Sequence, residues 1–383
     1  CTGNTADVVQ TEAVNTVSTA VVTSTVETTA ISHEVDYDSE DLTPIELNAE
    51  GATTIQLNGD SISVNGEGAV ADGSFITISS TGIYQLSGTL TDGQVIVDTQ
   101  DEEDVVIILA GVDITSQSSA PIYIVRAPKV ILTLVAGFEN VITDSESYTY
   151  LDKSGEPNAA IFSHEDLTIN GEGSLIVNAN YNNGIASKDD LKITGGSITV
   201  NAVNDGIKGK YSLAILDGDI TINAGADGLQ STNSDNLEKG FISISGGSLN
   251  ITSGLDGIQA ATDLEIIGGV IIITSGGGSG NSSTTGGGIW GPGSEGATLE
   301  SAKGLKAASN LIISGGTLNI DSADDSIHTN ANVIINGGKI RMSSGDDGIH
   351  ADESLTINNG EINLIESYEG LESAIITINA GTI

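Results

Sequence analysis

The chain has 383 residues, of which 52 are Asp or Glu and 12 are Lys or Arg, giving a formal net charge of −40 at pH 7. A surface this acidic repels nucleic acid and anionic membrane, and it makes cations the expected companions. With 3% aromatic residues and 49 glycines the chain is unlike a mixed α/β enzyme, and it has no run of about 20 apolar residues able to span a bilayer.

Cys1 is the single cysteine, so no disulfide forms within the chain. A chain that begins Cys1-Thr2-Gly3 looks like a bacterial lipoprotein after removal of its signal peptide. Lipidation of Cys1 is therefore expected, with membrane attachment only through that lipid. Residues 1–45 form a Thr/Val-rich N-terminal segment, a possible donor strand, and across residues 2–32 the density of β-branched residues favours an extended strand over a flexible tether. Residues 46–150 carry apolar strings at irregular spacing, such as Phe75-Ile76-Thr77-Ile78 and Val130-Ile131-Leu132-Thr133-Leu134. We read these as the first coils of a stacked structure.

From residue 151 to 383 the spacing becomes regular. A turn returns every 22 residues at Asn183-Gly184, Asp205-Gly206 and Asp227-Gly228, then at Asp325-Ser326, Asp347-Gly348 and Glu369-Gly370. A second Gly turn lies halfway through each unit, at Gly195-Gly196, Gly218 and Gly337-Gly338 for example. A period this short predicts a solenoid of short strands with no helix in the unit. The fold class expected is all-β, a single-stranded parallel β-helix with about 22 residues per coil, its coils stacked at roughly 4.8 Å. Leu311, Ile313, Leu318, Ile320 and Ile327 should point inward, above Val333, Ile335, Ile340, Met342 and Ile349 one coil later. Residues 230–240 read as a loop insertion and 275–299 as a Gly/Ser-rich excursion. The chain stops at Ala380-Gly381-Thr382-Ile383, after a mid-coil turn. An edge left open there invites either a cap from the chain itself or the N-terminal strand of a second subunit, which would build a head-to-tail filament.

Stacking turns the sequence period into a row of carboxylates. Asp205 should sit beside Asp227, and Asp324 and Asp325 beside Asp346 and Asp347, with Glu369 one coil on. Two carboxylates about 5 Å apart repel by roughly 1 kcal/mol in water, and an oxygen-only donor set suits Ca²⁺ better than zinc or copper. Calcium is thus expected on this row, with the Asp324, Asp325, Asp346 and Asp347 cluster as its centre. The competing reading is turn chemistry, each Asp capping its own backbone. His328 and His350 should stack just beyond the row. Ala186, Lys208, Gln230, Gln259, Lys306 and Glu372 fill the same place elsewhere, so a half-exposed ladder position is expected there rather than a paired-imidazole metal site. Lys303 replaces the acid in its own coil and should pair with Asp325.

Four strings carry a resemblance: residues 158–171 (from Asn158-Ala159-Ala160 to Asn170-Gly171), Gly184-Ile185-Ala186-Ser187-Lys188-Asp189-Asp190-Leu191, Asn204-Asp205-Gly206-Ile207-Lys208-Gly209-Lys210 and Ser301-Ala302-Lys303-Gly304-Leu305-Lys306-Ala307. Over residues 45–383 the chain resembles the bacterial carbohydrate-binding β-helix proteins first associated with cellulose-degrading clostridia. The resemblance implies a right-handed parallel β-helix similar to polysaccharide lyases, bound calcium, and binding of cellulose-like or pectin-like polysaccharide without catalysis. The Thr/Val tail and the C-terminus lie outside the resemblance; from Cys1 and those ends the expected location is extracellular, as a cell-surface lipoprotein or an extracellular filament. Trp290, Tyr181 and Tyr211 are the candidate glycan contacts, because sugar recognition uses aromatic platforms. A uronate lyase needs a strong base beside a metal. Only Arg126 and Arg341 are arginines, and Arg341 is expected to lie outward in a surface salt bridge, so catalysis is not expected and no catalytic residue is assigned.

Overall fold

Apolar residues alternating over strings of three to six, broken by Gly turns, can bury their side chains only by stacking on copies of themselves. The computed structural model describes residues 33–151, 153–281 and 301–383. Cys1, residues 2–32 and Trp290 lie outside the described residues. The described strands join in one 34-stranded, mostly parallel sheet, an arrangement compatible with a β-helix.

Pairing follows the sequence period. Ser174–Ala179 pairs with Ser197–Ala202, which pairs in turn with Asp219–Ala224, and Thr317–Ser322 pairs with Lys339–Ser344. Two further sets run alongside, one through Asp190–Ile193 and Ser212–Ile215, the other through Asn183–Ser187 and Ile207–Gly209. Partners such as Ile207 and Leu229, or Ile327 and Ile349, are 22 positions apart. The ten residues expected to point inward, from Leu311 to Ile349, are all at most 1% exposed.

The first strands depart from this pattern. Thr53–Gly59 pairs antiparallel with Ile62–Asn65, and Ala69–Asp72 with Phe75–Ile78. The tight turns at Gly59 (φ 78°) and Gly73 (φ 63°) reverse the chain within two or three residues. Parallel stacking starts where Thr53–Gly59 meets Gly82–Leu90 and that strand meets Val105–Thr115.

The glycine after each acidic turn has a steric cause. A Cβ on Gly206 would lie 2.4 Å from Ile222 Cγ2 and 2.6 Å from the Gly228 carbonyl oxygen, and Gly228, Gly257 and Gly304 meet Ile251, Ile273 and Ile320 in the same way. Ser326 is the exception, and its repeat is the one that carries Met342 where its neighbour has Ile320. An unbranched side chain leaves the space that a branched Cγ2 fills. Gly206→Ser should therefore lower stability by about 1–3 kcal/mol, and adding Ile222→Met should recover part of that loss. Denaturant unfolding of the single and double variants checks this; equal stability of the two would contradict it.

Residues 33–47 form a strap over the outside of the sheet. Asp38 caps a one-turn helix, Ser39–Leu42, accepting from the N–H groups of Glu40 and Asp41, and the Asp41 carboxylate returns to the Asp38 N–H. Asp41 itself is fully buried. Its carboxylate accepts from Thr168 Oγ1 at 2.6 Å and lies 2.9 Å from Lys192 Nζ and 3.3 Å from Lys129 Nζ. Upstream, His33 stacks on Phe241 with ring centroids 4.3 Å apart and reaches Asp263 at 2.8 Å. Downstream, Ile45 and Leu47 pack on Val106, Ile108 and Ile131. Residues 2–32, read as an extended strand, lie outside the described residues; the part of the N-terminal segment that follows them contains a short helix anchored by one buried acid.

Candidate functional site

Charged side chains gather in two places, the row of turn acids and a cleft beneath the strap. In the row, each Asp gives one carboxylate oxygen to the backbone N–H of its counterpart in the next repeat: Asp205 to Asp227 at 3.3 Å, Asp227 to Asp256 at 3.0 Å, Asp325 to Asp347 at 3.0 Å and Asp347 to Glu369 at 3.1 Å. The adjacency read from the period is present. The capping differs from ordinary turn chemistry, because each acid caps the following repeat rather than its own backbone. The second oxygen generally meets the side chain three residues on: Lys208 on Asp205 at 3.0 Å, Gln230 on Asp227, and His328 on Asp325 at 2.9 Å.

These partners set the charge state of each acid. Burial, together with the Asp256 and Asp205 carboxylates, pushes Asp227 up to about 7. Burial acts in the same direction on Asp325, but His328, Lys303 and the Asp347 N–H outweigh it and hold the carboxyl below the ordinary value. Lys303 lies 2.5 Å from Asp324 and 3.2 Å from Asp325, the pairing expected from its place in the row. Asp324, Asp325 and Asp346 bring oxygens within 4.8 Å of one another, but the Lys303 ammonium already bridges the first two. Asp205 and Asp227 spend both oxygens inside the protein. Glu369 is exposed and joins the row through its N–H.

The cleft encloses ≈ 500 Å³ between the strap, at Glu34, Asp36 and Asp38, and the sheet, at Lys129, Asp166, Asp190, Lys192, Tyr211 and Lys239. The loop insertion builds its wall: Ser212 pairs with Phe241, 29 positions on rather than 22, and the extra residues carry Lys239 back over Tyr211. Lys239 Nζ sits 3.1 Å from the centre of the Tyr211 ring and Lys210 Nζ 5.6 Å from it, a cation–π arrangement. Among the described residues neither ammonium makes an ion pair within 4.0 Å. Beside them Asp166, Asp189 and Asp190 place carboxylate oxygens within 4.8 Å of one another. Burial first, then the Asp190 and Asp189 charges, raises Asp166 to about 6. The sequence reading missed this trio, although Asp189-Asp190 paired across to Asp166 was legible once the repeats were aligned.

The other candidates separate. Tyr211 lines the cleft, whereas Tyr181 stacks on Tyr148 at 4.1 Å and packs with Phe162 and Ala186, so one face of its ring is already covered. Arg341 is exposed as expected, but its hydrogen bond goes to Asn319 Oδ1 at 3.2 Å rather than to a carboxylate. The amide stacked one repeat earlier is simply the nearest acceptor.

A family model described as "Carbohydrate-binding domain-containing protein" matches residues 72–348. The chain belongs to that family. A relative carrying the same description, from Acetivibrio thermocellus, is 52% identical over 128 residues, which is 33% of this chain and 45% of that protein. The match thus spans less than half of the relative's length. Among solved structures, the polysaccharide lyase-like protein from C. thermocellum, as a gadolinium derivative, aligns with 30% identity and a TM-score of 0.50. That alignment covers 87% of this chain and all of that one. The family description and the all-β architecture are thus shared by this chain and the proteins it resembles.

Proposed function

We propose that this chain is a non-catalytic, calcium-dependent binder of acidic polysaccharide, and that the cleft around Tyr211 is its glycan site. The observation that carries this is the pair of ammonium groups, Lys210 and Lys239, flanking one tyrosine beside the Asp189 carboxylate, which both attract, with no carboxylate within 4.0 Å of either among the described residues. In a chain of net charge −40, cations left without an ion pair point to an anionic ligand. Asp166, Asp189 and Asp190 are the residues that would hold Ca²⁺, which suits all-oxygen sites and would bridge their carboxylates to those of a uronate. Repeat-to-repeat pairing supports a β-helix of about 22 residues per coil as the scaffold, and the family resemblance supports a right hand for it. Such glycans lie outside the cell, where we place the protein.

The test is retention on polygalacturonate and on cellulose, with calcium and with chelator, followed for release of unsaturated uronate. Calcium-dependent retention on polygalacturonate without product is expected. Binding of cellulose alone, unaffected by chelator, would overturn the acidic-ligand reading, and accumulation of unsaturated product would make the protein a lyase.

A further inference from the structure

The strap that walls the cleft is fastened unevenly. Downstream of Asp38 it is pinned, with Asp41 fully buried on Thr168, Lys129 and Lys192, and with Ile45 and Leu47 packed on the sheet. Upstream, positions 33–37 make no backbone–backbone hydrogen bond among the described residues, so side chains hold them in place. Lys192 Nζ donates to the Asp36 carbonyl oxygen at 2.6 Å and lies 5.6 Å from the centre of the Tyr37 ring. The far end rests on His33. Its ring lies 4.3 Å from that of Phe241 at an interplanar angle of 4°, and its Nε2 is 2.8 Å from Asp263 Oδ2.

Three successive repeats build the seat for His33. Phe241, Asp263 and Asn310 precede the stacked residues Ile242, Leu264 and Leu311. Asp263 Oδ1 accepts from the Asn310 N–H at 2.8 Å and from the Asn310 side-chain amide at 3.0 Å, which leaves Oδ2 aimed at the imidazole. The His33 and Asp263 side chains are 8% and 6% exposed. Phe241 also lines the cleft, so the fastening and the site share a residue. Between the two fixed ends, Glu34 and Asp36, both exposed, line the same cleft and make no ion pair among the described residues. Like charges repel more strongly in a partly dry cleft than in open water, so the closed strap opposes a uronate approaching Lys210 and Lys239. Lifting it would carry both acids away and free Lys192 from the Asp36 carbonyl.

We propose that residues 33–37 are an autoinhibitory latch on the cleft, held shut by His33 on Phe241 and Asp263 and lifted when an acidic glycan binds. This rests on the cleft being the glycan site. A ligand shifts such an equilibrium only by its differential affinity for the two states, and the two strap carboxylates supply that difference. The pinned turn at Asp38–Asp41 is the hinge.

The experiment has two parts, both on the full chain. Hydrogen exchange of the free protein compares wild type with His33→Ala, and with Asp263→Asn should His33→Ala fail to fold. The latch variant should exchange the amides of residues 34–37 about tenfold faster and leave those of residues 45–47 unchanged. Equal exchange at 34–37 would overturn the latch whatever the ligand proves to be. Calorimetry with oligogalacturonate in calcium then compares wild type, the latch variant and Glu34→Gln/Asp36→Asn. Both should bind about threefold or more tighter than wild type, one because the latch is open and the other because the acids are neutral. Binding by wild type that neither variant improves would overturn the inhibition alone. Should no form bind, wild type included, the glycan reading and the inhibition fall together.

Discussion

Replacing Asp41 with Ala should cost about 3–5 kcal/mol, the usual consequence of removing one partner from a buried ion pair. The carboxylate is fully buried and answers two ammonium groups and a threonine hydroxyl. Without it, Lys192, whose side chain is 15% exposed, keeps the Asp36 carbonyl, and Lys129, at 8%, keeps Asp38 and Asp104. Burial opposes the charge on Asp41, but Thr168, Lys192 and Lys129 overcome it and hold its pKa below the ordinary carboxylate value. A depressed folded-state pKa contributes stability above the unfolded value near 3.8 and loses it as pH falls through the folded one. The strap should therefore loosen in acid in the wild type and at neutral pH in Asp41→Ala. Limited proteolysis within residues 33–47, together with thermal unfolding, checks both. Adding Lys192→Met to Asp41→Ala should recover part of the loss, since it removes the stranded charge. An unaltered melting temperature in Asp41→Ala would show that the anchor is not energetically coupled to the fold.

Asp227→Asn should have the opposite sign. Asp227 is also buried, but its neighbours are the Asp205 and Asp256 carboxylates, and its pKa rises to about 7. A raised folded-state pKa means that the native protein holds a proton the unfolded chain releases. Its contribution to stability is thus complete below the unfolded value and falls as pH rises toward 7. Asparagine keeps the acceptor for the Asp256 N–H and removes the charge. Its amide N–H₂ takes the place of Oδ2, which accepts from Gln230 Nε2 in the wild type, so the Gln230 amide must turn over and accept through Oε1, a buried atom without a partner in the wild type. At pH 8 the variant should be more stable than wild type by about 1–3 kcal/mol, at 1.36 kcal/mol per pKa unit, and the gain should shrink by pH 5. Chemical denaturation across that range measures it. A variant less stable than wild type at pH 8 would mean that Gln230 and the ladder hydrogen bonds, not repulsion, dominate at Asp227.

Much of the scaffold was legible because its physics is periodic. Leu318 and Ile340, 22 positions apart, stack because nothing else can bury them, and the Asp turns followed because stacking carries every position into register. The strap was missed because Asp41 acts through Lys129 and Lys192, which are 88 and 151 residues away, and only its capping pattern, Asp38 to Asp41, shows locally. The cleft was half legible. Tyr211 stood out as a rare aromatic and residues 230–240 as an insertion, yet nothing in the sequence says that the insertion folds back to put Lys239 on that ring. His350 was read as a ladder position, which it is.

The central claim is that the cleft holds the glycan, and the most direct test is a binding isotherm of the full chain with oligogalacturonate in calcium, compared with the Lys210→Ala/Lys239→Ala double variant. Neither lysine has an ion pair among the described residues, so the variant should keep wild-type stability while losing at least tenfold in affinity, the equivalent of about 1.4 kcal/mol. Unchanged affinity in a folded double variant would place the ligand elsewhere on the molecule.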